Sequence, residues 1–231
     1  MGQADARILV DKTAVRNAAT VIVLRDADTR PRVLMGQRGD TAAFMPSKFV
    51  FPGGAVDAVD ATIPLAAPAT PACTAALAHD SDLAPEPLIA AATRELWEET
   101  GLLIGDLDPR ADEMEKPQGW RGYLGTGHLP DGKDLTFFFR AITPPGRPRR
   151  FDARFFLVMA DHLRNDPDDF GRAEEELGVL QWIPLDEVRG FDMPFITEVV
   201  LAELAARLEG RNAPGVPFFD NRTQVSRFSR L

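Results

Sequence analysis

The first long apolar run, Ala19-Thr20-Val21-Ile22-Val23-Leu24, gives way to the polar stretch Arg25 to Pro31, and Arg32-Val33-Leu34-Met35-Gly36-Gln37-Arg38 follows it. β-branched and apolar runs separated by turn residues predict two strands joined by a turn. Lys48-Phe49-Val50-Phe51 is a short apolar strand stopped by Pro52 and the pair Gly53-Gly54. Glycine accepts backbone conformations closed to other residues, so this pair marks a turn beside a ligand. Leu135 to Ile142 and Arg154 to Ala160 are near-continuous apolar runs of the kind buried on both faces, and Leu180-Gln181-Trp182-Ile183-Pro184 is a further short strand.

Two segments have the helical pattern. Pro85-Glu86-Pro87 opens a run of strong helix formers from Leu88 to Glu99, and Gly101 supplies the stop. Ile196 to Leu208 is the second. Between Ala55 and His79 the composition turns to Ala, Pro and Thr, and Ile63 to Pro71 is too proline-rich for a regular strand or a long helix. The stretch from about 58 to 85 reads as an inserted segment, with a short helix at Ala75 to Ala78. No internal repeat is evident.

A chain of 231 residues, 45% hydrophobic, can bury one sizeable core. The expectation is a single α/β (α+β) domain over residues 1–231, with a C-terminal helix and tail at about 191–231. The single cysteine, Cys73, cannot close an internal disulfide, which points to a reducing, cytosol-like setting. No apolar run is long enough to span a bilayer, and Met1-Gly2-Gln3-Ala4-Asp5-Ala6-Arg7 has no charged-then-apolar leader pattern. No membrane partner is expected. The net charge of −9 argues against a broad grip on nucleic acid, which needs a basic face. Arg147-Pro148-Arg149-Arg150 is a local basic patch, either a solvated loop or a substrate contact.

The chemistry concentrates on the first helix. Glu95, Glu98 and Glu99 share one face about a turn apart, and Glu99 falls between Leu88 and Ala92, beside the apolar stripe. A carboxylate there needs a partner. Read blandly, this is a solvated acidic face with Arg94 paired to Glu98. Yet like charges at this spacing repel, and negative charge near a helix C-terminus opposes the macrodipole. A divalent cation reverses both penalties, and hard oxygen ligands suit Mg²⁺ or Mn²⁺.

Arg94-Glu95-Leu96-Trp97-Glu98-Glu99-Thr100-Gly101-Leu102 resembles the C-terminal half of the Nudix box at every fixed position, and Glu86 stands seven residues before Arg94, as that box asks. Gly54 fits its opening glycine. The family leaves five residues between that glycine and the glutamate, whereas Ala55 to Pro85 intervene here. The excess is the Ala/Pro-rich segment. An interrupted box is similar to that of the peroxisomal coenzyme A diphosphatase branch of Nudix hydrolases. Arg38, Phe44-Met45-Pro46, Phe51-Pro52-Gly53-Gly54 and Arg150-Phe151-Asp152-Ala153-Arg154-Phe155-Phe156 look like that branch too. The likeness covers roughly residues 18 to 205. It departs where the branch expects an arginine and a glycine and this chain has Ala43 and Ser47. Asp57 stands where an acidic residue follows the glycine pair.

The resemblance implies the Nudix fold, an α/β/α sandwich with a mixed central sheet, and metal-dependent hydrolysis of a nucleoside diphosphate linked to another group. It implies Glu95, Glu98 and Glu99 as ligands of Mg²⁺ (or Mn²⁺), with Arg94 orienting them. Glu86 either joins the metal network or caps the helix. A general base is expected on a loop before a late strand, where Glu174-Glu175-Glu176 stands, with Glu176 or Glu174 as the candidate against a plain solvated run. Arg38 and Arg154 are candidate phosphate contacts, and Gly53 and Gly54 line the substrate. Trp182 and Phe155 are either base-stacking or core residues. His79, His128 and His162 lack metal-ligand spacing and are assigned nothing.

The implied substrate is coenzyme A or an acyl derivative, cleaved to 3′,5′-ADP and 4′-phosphopantetheine. ADP-ribose or NADH is the alternative within the class, and a non-catalytic nucleotide-binding module the alternative outside it. Three like charges on one helix face favour the enzyme. The insertion is expected to cover the mouth of the site or to pack on a second subunit, which would make a homodimer. Ser229-Arg230-Leu231 fits the tripeptide read by peroxisomal import receptors. The heavy use of Ala, Arg and Pro, with arginine exceeding lysine, reads as bacterial and places the protein in the cytoplasm, with the peroxisome as alternative.

Overall fold

The computed structural model of the chain describes residues 14–40, 46–174 and 176–231. Met1 to Arg7, Ala43, Phe44, Met45 and Glu175, on which parts of the sequence reading fall, lie outside them. The elements in chain order are β1 (Val15–Arg25), β2 (Arg32–Arg38), β3 (Phe49–Val50), β4 (Gly53–Ala55), a 3-10 turn (Ala58–Thr62), α1 (Pro71–Ala78) and α2 (Pro85–Thr100). There follow β5 (Asp106–Leu107), α3 (Arg110–Glu113), α4 (Arg121–Leu124), β6 (His128–Leu129), β7 (Thr136–Ile142) and β8 (Arg150–Met159). The chain closes with β9 (Leu177–Pro184), α5 (Phe195–Leu208), β10 (Pro217–Asp220) and β11 (Arg227–Arg230).

Among the described residues, nine strands form one mixed sheet in the order β11-β10-β7-β8-β1-β2-β3, with β4 on β1 and β9 on β2. β1 lies parallel to β8 from Val15↔Arg150 to Leu24↔Met159, and antiparallel to β4 and to β2 at its two ends. The alternation of side chains along β1 decides the layers. Ala19, Val21 and Val23 join Leu88, Ala92 and Leu96 of α2 in one core cluster. Ile22 and Leu24 join Val200, Leu201 and Leu204 of α5 in another. Both faces are therefore covered by helix, giving the α/β/α sandwich expected for the Nudix fold.

α2 starts with proline in its first turn and ends at Gly101 in the left-handed conformation (φ 72°), whose N–H reaches the Trp97 carbonyl. A residue with a side chain is disfavoured in that conformation, so the glycine fixes where the helix stops. Glu174 N–H donates to the Glu98 carbonyl at 2.8 Å and Asn165 Nδ2 to the Gly101 carbonyl at 2.9 Å. Two loops from the other end of the chain thereby close the helix terminus that carries the carboxylates.

Within the Ala/Pro-rich segment Val59 lines the cleft described below, and Ile63, Ala69, Cys73 and Leu77 are buried, the last at 1% exposure. The segment's helix begins earlier than Ala75, at Pro71, where Thr70 Oγ1 accepts from Cys73 N–H. β10 pairs in parallel with β7, and β11 folds back on β10 with Ser229 opposite Phe218. Arg230 also pairs with Glu203 of α5, and Leu231 exchanges backbone hydrogen bonds with Val216. No helix among the described residues is long and apolar enough to cross a membrane.

Candidate active site

Arg94 is the hub of the site. Its guanidinium fork meets Asp60 with both oxygens, Nε to Oδ1 at 2.8 Å and Nη2 to Oδ2 at 3.0 Å. Nη1 donates to Glu95 at 2.9 Å and to Glu98 at 2.8 Å, and Nη2 also reaches the Ala55 carbonyl at 3.0 Å. Arg94 is 4% exposed and Asp60 fully buried. Burial alone would weaken proton binding by Arg94, but Asp60, Glu95 and Glu98 more than offset it and hold the guanidinium charged. A planar fork that satisfies three carboxylates and a carbonyl locks two of the helix carboxylates in place.

Asp60 is the functional residue that the sequence reading missed. It also accepts from Trp120 Nε1 at 3.0 Å and from Asp57 N–H at 2.8 Å. Only Ala55 to Val59 separate it from Gly54, which is the five-residue spacing the Nudix box asks for, with aspartate in place of glutamate. Counted this way, the residues in excess of the box spacing stand between Asp60 and Arg94. Glu86 is exposed in the first turn of α2, where its charge favours the macrodipole. It lies nine residues from Glu95, roughly 14 Å along the axis, and makes no side-chain cap. Both roles proposed for Glu86 are therefore withdrawn, and Asp60 holds the position.

The three helix carboxylates sit in unequal environments. Glu99 is 2% exposed, and its Oε2 accepts from Gly53 N–H at 2.7 Å. Burial, with Glu95 and Glu176 adding negative charge, raises its proton affinity well above the usual carboxylate range. Burial likewise lifts Glu95 to about 7, despite the opposing pull of Arg94, and raises Glu98. The glycine pair makes this crowding feasible: a Cβ on Gly54 would stand 2.5 Å from the Glu95 carboxyl, and one on Gly53 would stand 2.5 Å from the Ala19 carbonyl oxygen. Glu95 Oε2, Glu98 Oε1 and Glu99 Oε1 accept no hydrogen bond from the described residues.

Glu95 and Glu98 line a cleft of about 860 Å³, together with Asp57, Glu174 and Glu176, and Glu99 lies buried behind them. Pro117, Gln118, Gly119, Arg121 and Gly122, from a segment the sequence reading passed over, also line it, with Trp97 beside Gly122. Glu176, the candidate base, does line the cleft, and Arg38 Nη2 donates to it at 2.7 Å. Arg38 therefore orients Glu176 instead of standing free for a phosphate. Arg154 is a correction. It is fully buried, with burial lowering it to about 10, and is bonded to Asn17, Ser81 and the Asp152 carbonyl, none of which lines the cleft. Phe155 is core, and Trp182 is covered by Arg25 at 4.2 Å. The Arg147 to Arg150 patch does not line the cleft. His162 pairs with Asp134 and His128 with Thr126.

Among the described residues no three His, Cys, Asp or Glu side chains are gathered tightly enough to hold an ion as they stand. Arg94 Nη1 lies between Glu95 and Glu98. The donor set nonetheless fits a hard divalent cation: three carboxylate oxygens that accept nothing from the described residues, on neighbouring turns of one helix, in a place where burial and mutual repulsion disfavour their charge. Glu95, Glu98 and Glu99 are the residues that would hold it.

The sequence of this chain from 15 to 204 matches the family model for the NUDIX domain, and the chain belongs to that family. A Caenorhabditis elegans relative that bears a nudix hydrolase name is 30% identical over 180 residues, covering 73% of this chain. The match spans about half of that relative, 51% of its length. A crystal structure of a NUDIX hydrolase from Alicyclobacillus acidocaldarius superposes with a TM-score of 0.63 at 30% identity, over 84% of this chain and 92% of that one.

Proposed function

We propose that this protein is a divalent-cation-dependent hydrolase that cleaves the diphosphate bond of a nucleoside diphosphate linked to a second group. The observation that carries the reading is the Arg94 hub, which holds Glu95 and Glu98 beside the buried Glu99 on the wall of an 860 Å³ cleft. Nudix family membership and the hydrolase names of its relatives support it. Mg²⁺ or Mn²⁺ bound there would neutralise phosphate charge and lower the pKa of a coordinated water. Asp60 and Arg94 keep the carboxylates in register. Glu176, exposed on the cleft side and steadied by Arg38, is the residue suited to take a proton from water. A pure binding module has no use for buried carboxylates of this charge density, which disfavours that alternative.

Coenzyme A or an acyl derivative is the substrate we favour, giving 3′,5′-ADP and 4′-phosphopantetheine, with ADP-ribose or NADH as the alternative. Ser47 supports the coenzyme A branch in spite of the missing glycine, because its backbone keeps the left-handed conformation (φ 60°) that a glycine would favour there. We place the protein in the cytoplasm. A peroxisomal receptor would first have to detach Ser229 and Arg230 from β10 and Glu203. The test is chromatography of coenzyme A, acetyl-coenzyme A, ADP-ribose and NADH after incubation with Mg²⁺ or Mn²⁺, beside a Glu98→Gln control. Appearance of 3′,5′-ADP only with the unaltered protein supports the reading, and no turnover of any compound removes it.

A further inference from the structure

Segment 117–122 is held at three points, two on α2 and one on the 3-10 turn that carries Asp60. Gly119, at φ +86°, passes so close that a Cβ would stand 3.3 Å from Glu98 Oε1 and 3.4 Å from Arg94 Cδ. Trp120 is fully buried and donates to Asp60. Gly122 lies against the indole of Trp97, where a Cβ would be 3.0 Å from Nε1. A loop clamped on both sides of one residue presents that residue in a fixed place.

The residue is Arg121. It is exposed and lines the cleft. Two arginines line that cleft, and they differ in what they are free to do. Arg94 is committed to three carboxylates and a carbonyl. Arg121 has no ion pair among the described residues and donates only to the Lys116 carbonyl, at 3.3 Å. It therefore supplies the uncommitted positive charge of a cleft whose lining also carries Asp57, Glu95, Glu98, Glu174 and Glu176. So acidic a lining would repel any phosphate ester, so the charge of a diphosphate must be balanced at two places. A cation held by the carboxylates would serve the phosphoryl group that is attacked. The second phosphoryl group needs a partner of its own.

We propose that Arg121 binds the phosphoryl group distal to the attacked phosphorus, and that Trp97 beside it forms the apolar floor for the organic group that phosphoryl carries. This rests on the hydrolase reading only for turnover, and binding tests it separately. A guanidinium fork matches two phosphate oxygens, and an indole offers a broad apolar face.

The experiment is calorimetric titration of ADP, and of adenosine as the uncharged control, into the unaltered protein, Arg121→Ala and Arg121→Lys with Mg²⁺ present. Loss of one charge-assisted contact is expected to weaken ADP roughly tenfold or more in Arg121→Ala. Arg121→Lys should recover part of it, and adenosine should not respond. Unchanged ADP affinity overturns the proposal, as does equal weakening of ADP and adenosine, which would indicate a displaced loop. Failure of the unaltered protein to bind ADP at millimolar concentration also overturns it. In turnover, Arg121→Ala should raise KM and leave kcat within about twofold. An unchanged KM sinks the Arg121 assignment while leaving the hydrolase intact. Absence of turnover together with Arg121-dependent ADP binding removes the hydrolase reading while leaving the subsite.

Discussion

Replacing Asp60 with asparagine tests the core of the site. The aspartate is fully buried and takes four hydrogen bonds, two from Arg94, one from Trp120 and one from the Asp57 N–H. The amide keeps the shape but removes the charge and turns an NH₂ group toward donors. Breaking one half of a buried ion pair costs about 3–5 kcal/mol, and the remaining attraction of Arg94 to Glu95 and Glu98 places Asp60→Asn at the low end. A loss of about 3 kcal/mol lowers Tm by roughly 6–12 °C in a chain of this size. Catalysis should fall by roughly 10–100-fold, the usual cost of disturbing groups that orient metal ligands. Differential scanning calorimetry and initial rates on the same preparation read both numbers, with Glu86→Gln as the comparison. Glu86→Gln should match the unaltered protein in both. Wild-type Tm and rate in Asp60→Asn, or inactivation by Glu86→Gln, would falsify the assignment of Asp60 as the partner of Arg94.

Other outcomes follow from the same geometry. Glu95 has an ordinary value of 4.5 and a folded value of about 7, so the native state holds its proton longer than the unfolded chain. Without a divalent cation, Tm should fall as pH rises from 4.5 to 7, by the equivalent of up to roughly 3 kcal/mol, and level off above; a Tm that rises across this window contradicts the burial argument. Added Mg²⁺ should restore Tm at pH 8 and have little effect at pH 5. Gly54→Ala places a Cβ against the Glu95 carboxyl, so activity should drop more than stability, measured as rate against Tm. Leu77→Ala should cost about 2–5 kcal/mol in urea unfolding, because the helix carrying it packs in the core.

The sandwich was legible because its parts announce themselves locally. α2 is written in Pro85, its alanines and leucines, and Gly101, and the buried strands in their unbroken apolar runs. The carboxylate face could be read from helical spacing alone. Asp60 was legible in principle, since five residues separate it from Gly54. It was passed over because Glu86 also stands at a box spacing, measured from Arg94, and a one-dimensional count cannot tell which of two acids folds back onto the arginine. Arg154 misled for a related reason: an arginine in a strand can face solvent or a buried aspartate, and only the tertiary partners Asn17, Ser81 and Asp152 decide. β10 and β11 are four residues each; β10 is held by pairing with β7, distant in sequence, and β11 by pairing with β10. The segment 117–122 has no periodicity, and its meaning comes from glycines that let it approach Glu98 and Trp97.

The most direct measurement is a Mn²⁺ titration followed by water-proton relaxation on the unaltered protein, Glu98→Gln, Glu99→Gln and Glu86→Gln. Saturable Mn²⁺ binding that weakens at least tenfold in the first two variants and is unchanged in the third is the predicted result. Equal binding by Glu98→Gln and Glu99→Gln, or loss of binding in Glu86→Gln, would contradict a metal site built on the C-terminal half of α2 around Arg94.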